Sequence, residues 1–289
     1  MKALVIGASG LVGSALMRAL GPDAVGTYRS RPVPGLVPLD AADREAVAHV
    51  IDGAQSDLVL FPAAEPHVDW CEQHPEEARE RNLGPLRTTC AAAEGIPLVA
   101  FSSDYVFDGR AGPYHEGDER RPLSVYGCIK TELEDVVLAR GGCVVRTTTV
   151  FGDEPPPGKN FVLRLVASLQ RGEPILVPND QVSTPTYADD LARAVVRIAT
   201  QPAGIWHVVG PELMARAEFA RRIAAYLGLE TSLVQGVSTS VLRQPAARPL
   251  RGGLRCDRFE ATFGRLPGRT LDETLRDLAT RLGWTPASA

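Results

Sequence analysis

The apolar positions in the first half of the chain fall into compact runs: residues 3–7, 24–29, 58–64, 98–103 and 143–151. Runs this short, rich in Val, Ile, Leu and Phe, read as strands buried on both faces. Between them lie stretches whose apolar residues recur at helical spacing: 11–20, 42–53, 75–94 and 126–139. Strand and helix therefore alternate. That order predicts a parallel sheet with helices on both faces, because each strand-to-strand crossover carries a helix over the sheet. Right-handed crossovers make this an α/β fold with a doubly wound parallel sheet.

The rhythm changes after Gly152. The segment Asp153-Glu154-Pro155-Pro156-Pro157-Gly158 can continue neither strand nor helix and predicts a loop. A helix over 160–170 and a short strand over 175–178 follow. Leu191, Val195, Val196 and Ala199 form one stripe of a helix over 189–200, and 205–209 reads as another strand. The tail carries helices over 218–227 and 271–282. Thr270 and Glu273 give the last one a capping box, in which each residue satisfies a free backbone N–H of the other. The expected organisation is a dinucleotide-binding domain over 1–152, with 186–205 packing back onto it. A smaller, mostly helical C-terminal lobe would take 153–185 and 206–289.

Composition narrows the classes. The 289 residues are 44% hydrophobic and 23% charged, as in an ordinary globular chain, and the formal net charge is −4. A net acidic chain argues against a nucleic-acid surface, which needs a basic stripe. No apolar run approaches the roughly 20 residues of a membrane span. The five cysteines (71, 90, 128, 143 and 256) include no C-x-x-C pair, and the chain opens on Met1-Lys2 without a signal-peptide pattern. Together these predict reduced thiols in a cytoplasmic protein. The five histidines lack metal-ligand spacing, so no metal is expected.

The first chemistry lies at the first strand-to-helix turn, in Gly7-Ala8-Ser9-Gly10-Leu11-Val12-Gly13. Glycines there allow a tight turn and a close approach to a pyrophosphate. The helix that follows offers unpaired N–H groups and the positive end of its dipole. An NAD site would place an acid near the end of the second strand, to hold the ribose 2′-hydroxyl. This chain has Gly26-Thr27-Tyr28-Arg29-Ser30-Arg31 instead. Arg29 and Arg31 suit a 2′-phosphate, so NADP(H) is the expected cofactor.

The second chemistry is Tyr126 and Lys130, four apart on one face of a helix. A neighbouring ammonium favours phenolate and would let the tyrosine exchange a proton with a carbonyl or alcohol oxygen. This helix follows the strand that ends in Ser102-Ser103-Asp104-Tyr105, and ligands of such sheets bind off the carboxyl ends of the strands. Ser103 is then the hydroxyl that would hydrogen-bond the reacting carbonyl; Ser102 is the weaker candidate.

The glycine turn, Ser103, and Tyr126 with Lys130 resemble the extended short-chain dehydrogenase/reductase superfamily. Ser102-Ser103-Asp104-Tyr105-Val106-Phe107-Asp108-Gly109, Pro122-Leu123-Ser124-Val125-Tyr126-Gly127, Pro185-Thr186-Tyr187-Ala188-Asp189-Asp190-Leu191-Ala192 and Arg248-Pro249 narrow this. They resemble the dTDP-4-dehydrorhamnose reductase family. Asp69, Glu72, Pro75, Glu76 and Asn82 are similar too, both to that family and to the β regulatory subunit of methionine adenosyltransferase. The resemblance implies that Tyr126 donates a proton, that Lys130 binds the nicotinamide ribose and lowers the Tyr126 pKa, and that Ser103 polarises the carbonyl. It puts Asp104 and Tyr105 in the sugar pocket and Asp40 near adenine. Ala63, Ala64 and Glu65 would run along the cofactor, with Arg248, and also Arg251, near the substrate diphosphate. Hydride would pass from NADPH to C4 of a nucleotide-linked 4-keto-6-deoxy sugar. A homodimer is a family expectation as well.

One departure stands out. The rhamnose-forming enzymes usually read R-T-S-W-V-Y-G after the fifth strand, and here Thr149 replaces the aromatic residue. The resemblance implies that Thr149 lies on the substrate side, and the change leaves the identity of the sugar open. The alternatives are a regulatory NADP-binding subunit and a sugar-nucleotide epimerase or dehydratase. The dehydratases usually carry an acidic pair beside the catalytic hydroxyl, whereas Asp104 is followed by Tyr105. His67 and the charged run 116–121 are expected to be solvated loop residues. Trp206 and Trp284 are expected at the lobe interface, and Trp70 in a loop or subunit contact.

Overall fold

The computed structural model describes residues 1–156, 158–264 and 269–287, so Pro157 of the expected proline loop lies outside it. The first half runs β1 (Ala3–Ile6), α1 (Leu11–Leu20), β2 (Ala24–Tyr28), β3 (Val37–Pro38), α2 (Arg44–Ala54), β4 (Leu58–Phe61), α3 (Val68–Gln73), α4 (Pro75–Ala92), β5 (Leu98–Ser103), α5 (Val125–Ala139) and β6 (Cys143–Thr147). The second half runs β7 (Val150–Phe151), α6 (Phe161–Gln170), β8 (Ile175–Pro178), β9 (Val182–Ser183), β10 (Thr186–Tyr187), α7 (Ala188–Ile198), β11 (Gly204–His207), β12 (Met214–Ala215), α8 (Arg216–Tyr226), β13 (Val234–Val237), α9 (Asp257–Phe263) and α10 (Leu271–Leu282).

Seven strands form one sheet in the order β11-β6-β5-β4-β1-β2-β3, every pair parallel. The order reverses between β1 and β4, and the crevice of a doubly wound sheet opens at that point. Side chains alternate along each strand, so the sheet feeds two cores. One face packs Val5, Leu60 and Val145 against α1, α7 and α9. The other packs Leu4, Val59 and Val144 against α2, α4 and α5. A separate core of the C-terminal lobe joins α6, α8 and α10 around Phe219, Leu165 and Leu275. The capping box at Thr270 and Glu273 is formed.

Three expectations are corrected. The strand over 143–151 breaks at Thr148 and Thr149, because Thr149 takes the left-handed region (φ 43°) and turns the chain out of the sheet. β7 then pairs with β10 rather than with the sheet. Trp206 is not at the lobe interface. It sits in β11, 2% exposed, beside Phe263 of α9. Residues 206–207 and 257–263 therefore pack with the sheet, and the lobe's share of the tail is smaller than the expected 206–289. Finally, 68–73 is a helix rather than a loop.

Candidate active site

The dinucleotide cleft opens over the carboxyl ends of β1, β2 and β4. The turn after β1 is built for close approach. Gly7 has φ 96°, and a Cβ there would stand 2.9 Å from the Cα of Ala63. A Cβ on Gly13 would meet the Gly7 carbonyl at 2.2 Å, so α1 can lie this tightly under the turn only with glycine there. No side chain caps the N-terminus of α1. Its first N–H groups thus lack a partner, and with the helix dipole they form a seat for an anion. Ser9 and Gly10 line the cleft, while Leu11 and Val12 start α1 and pack into the core beneath.

The two arginines after β2 part company. Arg29 lines the cleft together with Thr27 and Ser30. Arg31 donates to the Ser9 carbonyl and lies 4.0 Å from Glu154, so it ties the loop after β7 to the glycine turn. Asp40 is exposed, and its carboxylate accepts from the Ala42 amide at 3.1 Å. Its neighbours Leu39 and Ala41 line the cleft instead. Ala63, Ala64 and Glu65 line it as expected. Glu65 is fixed at both ends. Its amide donates to Asn82 at 3.1 Å, and its carboxylate accepts from the His67 amide at 3.1 Å and meets the His67 ring at 2.5 Å. Arg81 and Pro85 of α4 also line this cleft. They were missed because α4 reads from sequence as a covering helix. Their four-residue spacing, on one face beside Asn82, was the available signal.

The reacting end lies where β5 meets α5. Ser124 caps α5, its hydroxyl accepting from the Gly127 amide at 3.2 Å. Glu72 of α3 accepts from the Val125 amide at 2.9 Å, so a carboxylate also answers the dipole at this end. Gly127 rests on the Tyr105 backbone, where a Cβ would come within 2.3 Å of the carbonyl oxygen. These contacts place Tyr126 and Lys130 beside the end of β5. Lys130 is 3% exposed; its Nζ donates to the Phe101 carbonyl at 3.0 Å and lies 5.5 Å from the Tyr126 ring. The Ser103 hydroxyl accepts from the Tyr105 amide at 3.2 Å. Ser102 is buried in the sheet, and its hydroxyl has no hydrogen-bond partner.

Burial governs the titration here. Desolvation raises the Tyr126 phenol above its usual value, Tyr105 beside it adds to the rise, and Ser103 opposes it. Desolvation also brings Lys130 down to about 8, with Glu134 acting the other way. Both shifts run toward the uncharged form, though at neutral pH Lys130 stays mostly an ammonium.

The substrate side holds a further correction. Asp104 is 4% exposed, and its carboxylate accepts from the Thr148 hydroxyl at 3.0 Å and the Gly253 amide at 3.3 Å. Burial pushes it up to about 6, against those two bonds. It is a clamp on segment 249–255 rather than an open pocket wall. That segment is stitched on both sides: Arg251 N–H to the Gly109 carbonyl at 2.8 Å, Val182 N–H to the Leu250 carbonyl at 2.7 Å. Tyr105 stands edge-on to Tyr126, with ring centres 5.4 Å apart. Thr149 shares hydroxyl contacts with Ser183 at 2.9 Å and Thr148 at 3.4 Å. Arg248 is brought in but already paired, with Asp69 of α3 at 2.8 Å. Arg251 is exposed. Asp69 and Glu72, to which the sequence assigned no role, both stand on α3: one holds segment 246–248 and the other the N-terminus of α5.

Among the described residues no group of three or more His, Cys, Asp or Glu side chains is placed to hold a metal, and no helix is long and apolar enough to cross a membrane.

The geometry agrees with what the chain matches. The profile of the RmlD substrate binding domain family matches residues 1–282. The sequence is 33% identical over 284 residues to a dTDP-4-dehydrorhamnose reductase of Sinorhizobium fredii, across 92% of this chain and 93% of that one. It is 32% identical over 271 residues to the methionine adenosyltransferase 2 subunit beta of Danio rerio, across 90% of this chain and 84% of that one. The fold superposes on the crystal structure of dTDP-4-dehydrorhamnose reductase from Bacillus anthracis in complex with NADP. The TM-score is 0.86 at 27% identity, over 97% of this chain and 100% of the other.

Proposed function

The chain belongs to the RmlD substrate binding domain family, and on that premise we propose that it is an NADPH-dependent reductase acting on C4 of a 4-keto-6-deoxy sugar carried on a nucleoside diphosphate. One observation carries the reading: Ser103, Tyr126 and Lys130 are gathered at the end of β5, beside a cleft whose glycine turn and uncapped helix fit a dinucleotide. The bound dinucleotide supplies the hydride. The chain's own residues supply the rest. Ser103 accepts a hydrogen bond from the Tyr105 amide, and its own hydrogen, which faces the Tyr126 oxygen, would turn to a carbonyl oxygen set between the two. Tyr126, kept protonated by burial, delivers the proton that oxygen needs when hydride arrives at its carbon. An ammonium at Lys130 has three donors; one goes to Phe101, and two remain for ribose hydroxyls. The N–H groups of α1 would hold the pyrophosphate, and Arg29 the 2′-phosphate. We take the sheet with its helices as the cofactor unit and the C-terminal lobe as the substrate unit, and we place the protein in the cytoplasm.

The test is NADPH consumption with freshly generated dTDP-4-keto-6-deoxy sugar, wild type against Tyr126→Phe. Consumption by the wild type that disappears in the variant is the expected result. Full activity in Tyr126→Phe overturns the assignment of the proton donor. No consumption by a wild-type protein that binds NADPH overturns the reductase reading and favours a regulatory subunit; the Danio rerio relative is named as the beta subunit of methionine adenosyltransferase 2.

A further inference from the structure

The charged side chains that line the dinucleotide cleft are Arg29, Glu65 and Arg81. Arg29 stands at the end of β2, where an adenosine 2′-phosphate would lie. A dinucleotide's pyrophosphate carries two more negative charges. The glycine turn and α1 answer them from one face of the sheet with N–H groups and about half an elementary charge of helix dipole. Arg81 comes from α4, which packs on the opposite face. It therefore charges the wall across from the glycine turn.

Its surroundings prepare it for that task. Glu77, one turn earlier on α4, accepts from one edge of the guanidinium. The indole of Trp70 lies against its face, 4.6 Å from the ring centre. The Glu65 carboxylate oxygen that His67 leaves unengaged stands 3.8 Å away, a second and longer ion pair. A guanidinium has five N–H donors in a fixed fork, so one paired edge leaves others for an oxyanion. The side chain is 40% exposed, within reach of a ligand in the cleft.

We propose that Arg81 is a pyrophosphate-binding residue of the dinucleotide site. The inference rests on the reading of this cleft as an NADP(H) site. Arg29 senses the 2′-phosphate and Arg81 the part that NADPH and NADH share.

The experiment is calorimetric titration of the protein with NADPH, NADH and adenosine 2′-phosphate, which lacks the pyrophosphate. Arg81→Gln should bind NADPH and NADH each about 10–100-fold more weakly and adenosine 2′-phosphate as the wild type does. Arg81→Lys, which keeps the charge, should recover part of the loss. Arg29→Ala should show the mirror pattern, losing NADPH and adenosine 2′-phosphate while keeping NADH. Wild-type NADPH affinity in Arg81→Gln overturns the proposal. So does equal weakening toward all three ligands, since that marks general damage to the site. A wild-type protein that binds neither dinucleotide overturns the reading of the cleft itself, a result distinct from either.

Discussion

Lys130→Met should make the protein more stable at neutral pH while abolishing turnover. The Lys130 ammonium is 3% exposed and keeps one protein hydrogen bond, to the Phe101 carbonyl. Burial lowers its pKa from 10.5 to about 8, so at pH 7 the folded state carries a charge it holds less readily than the unfolded chain does. That gap corresponds to roughly 3 kcal/mol against folding. Methionine has a stem of similar length and no charge. It forfeits the Phe101 bond, worth about 1 kcal/mol, and should leave the variant about 1–3 kcal/mol more stable at pH 7. The sign of the pH dependence follows from the direction of the shift. Below about 8 both states are protonated and the handicap is constant. As pH rises from about 8 toward 10.5 the folded state sheds its proton first, so wild-type stability climbs relative to the variant. Urea unfolding of both proteins at pH 7, 8, 9 and 10 should show the advantage of Lys130→Met shrinking across that window and closing by about pH 10. An advantage that is absent at pH 7, or flat from pH 7 to 10, would refute the argument that burial sets the ionisation of this residue.

Glu134 is 0% exposed and takes two 2.7 Å bonds from Arg146 and a third, at 3.2 Å, from Arg120. Glu134→Gln leaves Arg146 buried without its counter-charge and should cost about 3–5 kcal/mol in urea unfolding, whereas the paired change Glu134→Leu with Arg146→Met should recover most of it. Gly13→Ala sets a Cβ 2.2 Å from the Gly7 carbonyl. It should push the turn out of place, abolish NADPH binding by calorimetry and lower Tm by several degrees; unchanged binding would mean the turn can relax without loss.

Much of the nucleotide-binding half could be read from the chain, because a strand buried on both faces advertises itself as a compact apolar run. The pattern failed where tertiary contacts decide. Residues 143–151 look like one strand, yet Thr149 adopts a backbone region that β-branched residues avoid. Its hydroxyl contacts with Ser183 and Thr148 help to hold it there. α3 is 6 residues long, too short for a periodic signal, and its two acids act on segments 53 and 177 positions away. Asp104 illustrates the same limit. Its place after Ser103 pointed to the pocket, but its partners Thr148 and Gly253 come from later segments that only the fold brings near. Arg31 has the composition of a phosphate ligand and is claimed by Ser9 and Glu154. Residue type showed what each side chain could bind, and packing chose the partner.

The same contrast bears on the direction of the chemistry. Spacing on a helix suggests that a lysine draws the proton off a nearby tyrosine. In the folded protein both groups lie where water is excluded, and burial penalises phenolate and ammonium alike. Tyr126 is driven up and Lys130 down, so the two shifts pull against an ionised pair. A tyrosine in that state holds its proton until an oxygen close by becomes strongly basic. A carbonyl receiving hydride is such an oxygen, and an alcohol awaiting oxidation is not, since it would need Tyr126 deprotonated first. Reduction starts from protonated Tyr126 and oxidation from its phenolate, while the substrates set the balance between the two directions. On this argument the rate of NADPH oxidation by the keto sugar should be highest near neutral pH and fall toward pH 8 and above, where Lys130 loses its ammonium, while the reverse reaction should gain from the rise in pH that helps Tyr126 give up its proton. A reverse reaction insensitive to pH would show that Tyr126 is not the group that must lose the proton.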